Sequence, residues 1–259
     1  MKTIFFFLIF LITLLILCDS PTPEVIFLHE ISNLSIPQST EIDLISKINK
    51  KNSLIQTINF NDIQIKIGRI SLKANMVYER DRNFRMIVSS IFGNEMDIGS
   101  NHDLFWFWSR RMKPPGLYYA AYTDLYNCQL KDAFHPLWII ESLGIGKINQ
   151  NVDIKSNSKY IVIIEKRRGI SNTTVTKITL IDKKLEAIVG HYLLNDDEVI
   201  ISAEIREFNK YLLPSKIITI WHQENVALEW TIKKMSINNK IDTHNWQMPY
   251  CKKTINMGN

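Results

Sequence analysis

Glycine and proline are scarce, at 9 and 8 of 259 residues. That excludes a fibrous or low-complexity chain, which those residues would dominate. Charge is not in excess either: 22% of residues are charged and 46% are hydrophobic, so the chain reads as globular rather than disordered. Metal spacing is missing. The six histidines, His29, His102, His135, His191, His222 and His244, form no H-E-x-x-H or related pattern. A phosphate loop is missing too. "GIGK" (residues 144–147) lacks the full spacing and a following helix, and its glycines follow an apparent helix, where they serve as a cap. "SNSK" (156–159) matches the serine-x-x-lysine pattern of some acyl enzymes, but it sits in a polar loop without companion motifs. "NDDE" (195–198) reads as an acidic hairpin tip.

No nucleophile, base and orienting group come together along the chain. The expectation is a protein that is not an enzyme and uses no metal or cofactor. A hydrolase with a dispersed site would have to bring His191, His222 and Asp182 together in space.

The net charge of +5 and pI near 9.0 permit attraction to phosphate or to an anionic membrane surface. "EKRR" (165–168) and "SRRMK" (109–113) are basic, the second beside aromatics. An exported chain rarely meets nucleic acid, so these read as strand-end charges and no nucleic-acid partner is expected.

Export is read from the N-terminus. "MKTIFFFLIFLITLLILC" places Lys2 ahead of an apolar run over residues 4–17. The run is short for a membrane-spanning helix, which needs ~20 apolar residues. It ends at Cys18 in "LILC", which looks like a lipobox except that Leu17 is not small. The division expected is a lipoprotein-type signal peptide over residues 1–17, a proline-containing tether over 18–38 and a single domain over 39–259. The competing reading is an uncleaved anchor. Either places the domain in the cell envelope, facing the periplasm and held to a membrane. With Cys18 lipidated, Cys128 and Cys251 are left as a pair or as two free thiols.

Beyond the tether, "TEIDLISKINKKNSLIQT" (40–57) reads as an amphipathic helix, with Ile45, Ile48 and Ile55 on one face and a capping box at Thr40 and Asp43. The period then switches to two, through "DIQIKIG", "SLKANMVYER", "NFRMIVSSIFG" and their successors. "FHPLWIIESLGIG" (134–146) interrupts as a short helical insert, after which strands resume. About ten strands in a meander curl rather than stay flat. The fold class expected is α+β, mostly antiparallel β: a strongly curved, incomplete half-barrel whose helices cover the concave face. One strand is anomalous. In "LFWFWSRRMK" (104–113) both alternating sets, Leu104/Trp106/Trp108 and Phe105/Phe107, are large and apolar, so both faces need cover.

The helix "LISKINKKNSLIQT", then "SLKANMVYERDRNFRMIV", "EMDIGSNHDLFWFWSRR", "YLLPSKIITI" and the closing "NWQMPYCKKTINMG" occur in an order that resembles the lipoprotein-localisation carriers and receptors, the LolA/LolB-like family, over residues 42–258. The resemblance is strongest to an envelope-lipoprotein branch. It implies a half-barrel with a helical lid over an apolar cavity that shelters acyl chains or lipoproteins, in a carrier or receptor role. The implied lining is Leu104, Trp106, Trp108, Tyr118, Leu228 and Trp230 from strands. Ile45, Ile48, Trp138 and Ile139 would join it from helices. Arg85 is the implied lid-holding residue, through helix carbonyls. The alternative on the same scaffold is a structural or assembly lipoprotein that docks another envelope protein and has no ligand cavity.

Mass spectrometry of the natively purified N-terminus tests the anchor. A chain beginning at an acylated Cys18 is expected; an intact apolar run at residues 4–17 would support the uncleaved anchor.

Overall fold

The computed structural model describes residues 30–80, 83–124, 132, 135–149, 152–169 and 173–258. The signal segment, Cys18, Cys128 and most of the tether lie outside these residues, and Cys251 is a free thiol.

The period-two stretches fold as strands of one 14-stranded sheet. Its first half is β1 (Thr57–Ile67), β2 (Ile70–Glu79), β3 (Asn83–Ser90), β4 (Gly93–Ser100), β5 (Leu104–Ser109) and β6 (Leu117–Ala121). Its second half is β7 (Asp153–Ser156), β8 (Tyr160–Arg168), β9 (Thr174–Asp182), β10 (Ala187–Asn195), β11 (Glu198–Phe208), β12 (Pro214–Trp221) and β13 (Val226–Ile237), with β14 (Thr254–Asn256) last. The spatial order is β14-β6-β5-β4-β3-β2-β1-β13-β12-β11-β10-β9-β8-β7. Two consecutive meanders are therefore joined by one antiparallel ladder, β1 on β13. β14 alone runs parallel, against β6.

A flat sheet of this many strands would be about 60 Å wide at ~4.8 Å per strand. It curls instead. Inward residues of strands from both meanders, such as Phe107, Met86, Ile65, Trp230, Ile217 and Val175, belong to one buried cluster. The outermost strands, β14 and β7, do not pair with each other, so the barrel stays open.

Two helices lie on the concave side. α1 (Ser39–Ser53) presses Ile45 and Ile48 onto Ile161, Ile163, Ile181 and Ile188 of β8–β10. Its capping box is Gln38 with Glu41, two residues earlier than the sequence pattern suggests, because the Glu41 carboxylate accepts from the Gln38 N–H at 2.8 Å. α2 (Pro136–Glu141) buries Trp138 and Ile140 in the main cluster. Its exit is sealed by Gly144 at φ +66°, where a Cβ would come within 2.6 Å of Ile205 Cδ1. Residues 195–198 form the expected tip: Asp196 and Asp197 both take positive φ, as a tight hairpin turn needs.

The register resolves β5. Phe107 pairs with Tyr118 and Ile98, and Phe105 with Ala120 and Ser100, all on the concave face. Trp106 points to the convex face and is nonetheless fully buried. It lies over Gly99, its partner on β4, where a Cβ would stand 2.3 Å from the indole Cζ2. Its Nε1–H donates to Asp97 Oδ1 at 3.4 Å, and Arg85 grips the same carboxylate with bonds of 3.1 and 2.7 Å. A glycine groove and an ion pair thus receive the second apolar face. The chain after β13 passes β3 through a 3₁₀ turn at Thr243–Trp246, is held by Asn101 on the Trp246 carbonyl at 3.0 Å, and returns to β6 as β14.

Gly99→Ala is expected to cost about 1–3 kcal/mol by overpacking, and Trp106→Ala about 3–5 kcal/mol. Together they should cost less than the sum, because the alanine methyl fills space the indole leaves. Urea unfolding of the three variants checks this; strict additivity would mean the two do not share a site.

Candidate functional site

α1 is a layer apart. Its two buried isoleucines belong to a small cluster that does not merge with the main core. What holds it is mostly polar and peripheral. Asn49 donates to the Ile148 carbonyl (2.9 Å) and accepts from the Ile148 N–H (2.7 Å). Asn52 donates to the Gly146 carbonyl at 3.0 Å. Arg80 donates to the carbonyls of Asn52 and Ile55, the latter at 3.1 Å. Ion pairs Glu41–Lys183 and Lys47–Glu186 tie both halves to the β9–β10 hairpin. Burial would raise the Glu41 carboxyl, but the bonds from Lys183 and the Gln38 N–H outweigh it and hold it below the usual range.

Beside α1 a cleft of about 270 Å³ opens between the helix and the strand turns. Ile48, Tyr211 and Leu212 give it apolar walls; Lys47, Lys51 and Lys210 are its cations and Glu186 its one carboxylate among the described residues. Burial lowers the Lys51 pKa, partly countered by Glu186. The cleft is amphipathic in the sense a lipid is: hydrocarbon at the wall, positive charge at the mouth.

Deeper on the concave face, α2 carries Glu141 against a charged group from β8 and β9. Arg167 reaches Glu141 at 2.6 Å and Glu165 at 2.8 Å, and Lys177 reaches the same Glu141 oxygen at 2.9 Å. Burial pushes the Glu141 carboxyl up, yet Lys177 and Arg167 overcome it and hold the pKa at about 2. Lys177 is itself lowered, since its burial and the nearby Arg167 cost more than Glu141 returns. His191 beside them accepts or donates at Thr179 Oγ1 (3.1 Å), meets Trp138 edge-on at 6.4 Å, and leaves Nε2 buried without a partner among the described residues. Burial, reinforced by Lys177, holds its pKa well below the ordinary value, so the ring is neutral. A cavity of about 70 Å³ is lined by Glu141, Glu165, Lys177, Thr179 and His191 together with Ile148, Ile163 and Ile188.

Of the residues expected to line a cavity, Tyr118, Trp138, Ile139, Leu228 and Trp230 stand in or against the main concave cluster, and Ile45 and Ile48 in the α1 cluster. Leu104, Trp106 and Trp108 do not join them. Strand parity puts all three on the convex face, away from α1. Arg85 also faces outward, onto Asp97; the arginine on helix-end carbonyls is Arg80. The sequence pattern reads Arg167, in "EKRR", as a strand-end charge and assigns Lys177 no role. Their signal was parity: Lys177 alternates with Val175 and Thr179, and Arg167 with Ile163 and Glu165, on the apolar face.

The three groups of a dispersed hydrolase site do not meet. His222 Nε2 bonds Ser202 at 2.9 Å, His191 lies on the concave face, and Asp182 caps its own turn at the opposite end of the sheet, on the N–H groups of Lys184 and Leu185. The serine and lysine of "SNSK" are likewise apart, with Lys159 paired to Glu30.

No family model and no curated protein matches the chain. Several solved structures do resemble it. A LolA-superfamily protein from Nitrosomonas europaea aligns with TM-score 0.48 and 10% identity over 79% of this chain and 97% of that one. A DUF1329-family protein from Desulfovibrio piger aligns with TM-score 0.48 and 6% identity over 82% and 98%. A domain assigned to outer membrane lipoprotein sorting in Vibrio parahaemolyticus aligns with TM-score 0.46 and 7% identity over 79% and 95%.

Glu141→Gln leaves Lys177 and Arg167 facing each other without their shared anion. A loss of roughly 3 kcal/mol is expected at neutral pH. Because the folded pKa of Glu141 is depressed, its stabilisation is present above the unfolded value near 4.5 and is lost as pH falls toward about 2. Unfolding curves from pH 7 to pH 2 should therefore converge for the wild type and the variant; a constant gap would show that Glu141 does not act through its charge.

Proposed function

We propose that this chain is a membrane-anchored lipoprotein of the cell envelope that binds acyl chains, or the acylated end of a lipoprotein, between α1 and the concave face of the sheet. It acts as carrier or receptor, without catalysis. The observation that carries this reading is an apolar layer, α1, separate from the main core and paired with an amphipathic cleft at its edge. α1 is held by polar ties, including the buried Asn52, and its buried apolar side chains are Ile45 and Ile48, with Ile42 and Leu44 partly buried beside them.

A hydrocarbon tail in water needs a dry surface, at ~0.8 kcal/mol per methylene, so a dozen methylenes are worth about 10 kcal/mol. The cleft holds only the first part of such a tail. Further entry requires α1 to lift, exposing two isoleucines at about 1.5–3 kcal/mol each. The tail then takes their place against Ile161, Ile163, Ile181 and Ile188. Arg80, Asn49 and Asn52 act as the hinge side that keeps the lid attached. Tyr118, Trp138, Ile139, Leu228 and Trp230 are the proposed deeper wall. Lys47, Lys51 and Lys210 receive an anionic head group.

One observation favours the alternative of a structural or assembly lipoprotein. The main core is filled by aromatic side chains, including Phe105, Phe107, Tyr118, Trp138 and Trp230. If they do not yield, the scaffold is a solid one that docks a protein partner.

Titration of the delipidated full chain with a fluorescent fatty acid decides between them. Saturable binding is expected. The Lys51→Glu/Lys210→Glu variant should weaken the free acid about fivefold, the equivalent of ~1 kcal/mol, and leave its methyl ester unchanged. A folded protein that binds neither probe would leave the assembly reading standing.

A further inference from the structure

The ends of the strands differ in character. The turns at residues 183–186 and 209–213 and the start of β1 all lie at one end of the sheet. The C-terminal half of α1 reaches the same end, since Lys47 meets Glu186 and both share the cleft with Tyr211. There Leu54, Leu185, Tyr211 and Leu212 are 67%, 41%, 61% and 41% exposed. Around them stand Lys50, Lys51, Lys184 and Lys210, none within salt-bridge distance of a carboxylate among the described residues. The carboxylates nearby are matched: Glu186 by Lys47 and Glu41 by Lys183. Lys210 sits 5.0 Å from the Tyr211 ring, adding a cation over an exposed aromatic. The opposite end carries Asp196 and Asp197 at the β10–β11 turn, Glu224 at the β12–β13 turn, and an apolar tip of its own, Ile91 and Phe92, whose neighbouring cations Arg110 and Arg111 are paired with Glu95.

The chain's own route to its N-terminus leaves from the lysine-rich end. Ser35 bridges Ser156, the last residue of β7, and Glu30 bonds Lys159 and Tyr160 at the turn into β8. Only residues 18–29 separate Glu30 from the apolar run, a reach of about 40 Å even fully extended. On the proposed anchoring at Cys18, this end is therefore the nearer one to the membrane.

We propose that this end is a bilayer-docking face: the leucines and Tyr211 enter the interfacial layer, and the unpaired lysines bind the phosphates of anionic lipids. Exposed apolar tips ringed by cations are what such a surface selects, since each lysine near an anionic leaflet adds attraction and the tips add burial. The docking places the mouth of the lysine-lined cleft on the membrane. It rests on the anchoring part of the proposed function and not on the cleft's ligand, so failure of fatty-acid binding would leave it intact.

Hydrogen–deuterium exchange of the full chain on vesicles tests it. With phosphatidylglycerol in phosphatidylcholine, amides of residues 183–186 and 209–213 should exchange severalfold more slowly than on phosphatidylcholine alone. Residues 91–92, exposed at the other end, should be unchanged. Lys184→Glu/Lys210→Glu should lose the slowing. Equal exchange on both lipids, or slowing centred on residues 91–92 or 196–197, overturns the proposal; so would slowing induced instead by a soluble acidic protein.

Discussion

The structure depends on one ladder. β1 pairs with β13, with Ile65 facing Trp230 and Ile63 facing Ile232, and among the described residues this is the only ladder between the two meanders. Each meander taken alone is a sheet with one greasy face and nothing to put on it. Joined, they curl until inward residues from both halves share a core. Everything else follows from that closure. The open seam between β14 and β7 sets where chain ends can lie, and the concavity sets where two short helices can bury their apolar sides.

Much of this was legible because period two and period 3.6 are properties of neighbours. The alternation of Ile63, Ile65 and Ile67, or of Val226, Leu228, Trp230 and Ile232, fixes one buried face per strand regardless of topology. The amphipathic helix was legible for the same reason. β7 and β14 were harder, since strands of four and three residues carry too few alternations. The face of β5 was not legible at all. Both of its sets are apolar, and the deciding feature is Gly99 on the neighbouring strand, which matters only once register is known. The same holds for the arginines. Arg80 and Arg85 are five residues apart, on either side of a hairpin turn; β3 parity turns Arg85 outward to Asp97, while Arg80, just past the end of β2, meets the helix end.

The concave face is uneven, and the unevenness is informative. Over β1–β6 it is almost wholly apolar. Over β8–β10 it carries Glu141, Arg167, Lys177 and His191. Burying such a group is a poor route to stability: well-packed apolar residues of similar size do as well or better. Its effect is directional. Arg167 and Lys177 converge on one carboxylate oxygen of α2, so the short helix is fixed by charge where six residues of helix would otherwise be marginal. α1 has no such convergence of charge: its ties are spread over Glu41, Lys47, Asn49 and Asn52.

The same face leaves donors over. Trp138 Nε1, Trp230 Nε1, Thr219 Oγ1 and His191 Nε2 are buried and have no hydrogen-bond partner among the described residues. His191, Ala203, Thr219 and Leu228 follow one another across β10–β13 in register, so a small side chain separates the two polar ones in a single row. A face built only to seal itself would place apolar groups there, since each unmet buried polar atom costs about 1–3 kcal/mol. Groups met by no side chain are met by water or by a ligand's polar atoms. An acyl chain has its ester or amide carbonyl at one end and hydrocarbon along the rest. The concavity offers the matching order: lysines at the rim, isoleucines under α1, and indole and hydroxyl donors among aromatics beyond. α1, the cleft beside it and the lysine-bearing turns at 183–186 and 209–213 also share one end of the sheet, which is the arrangement the proposed passage from a membrane requires.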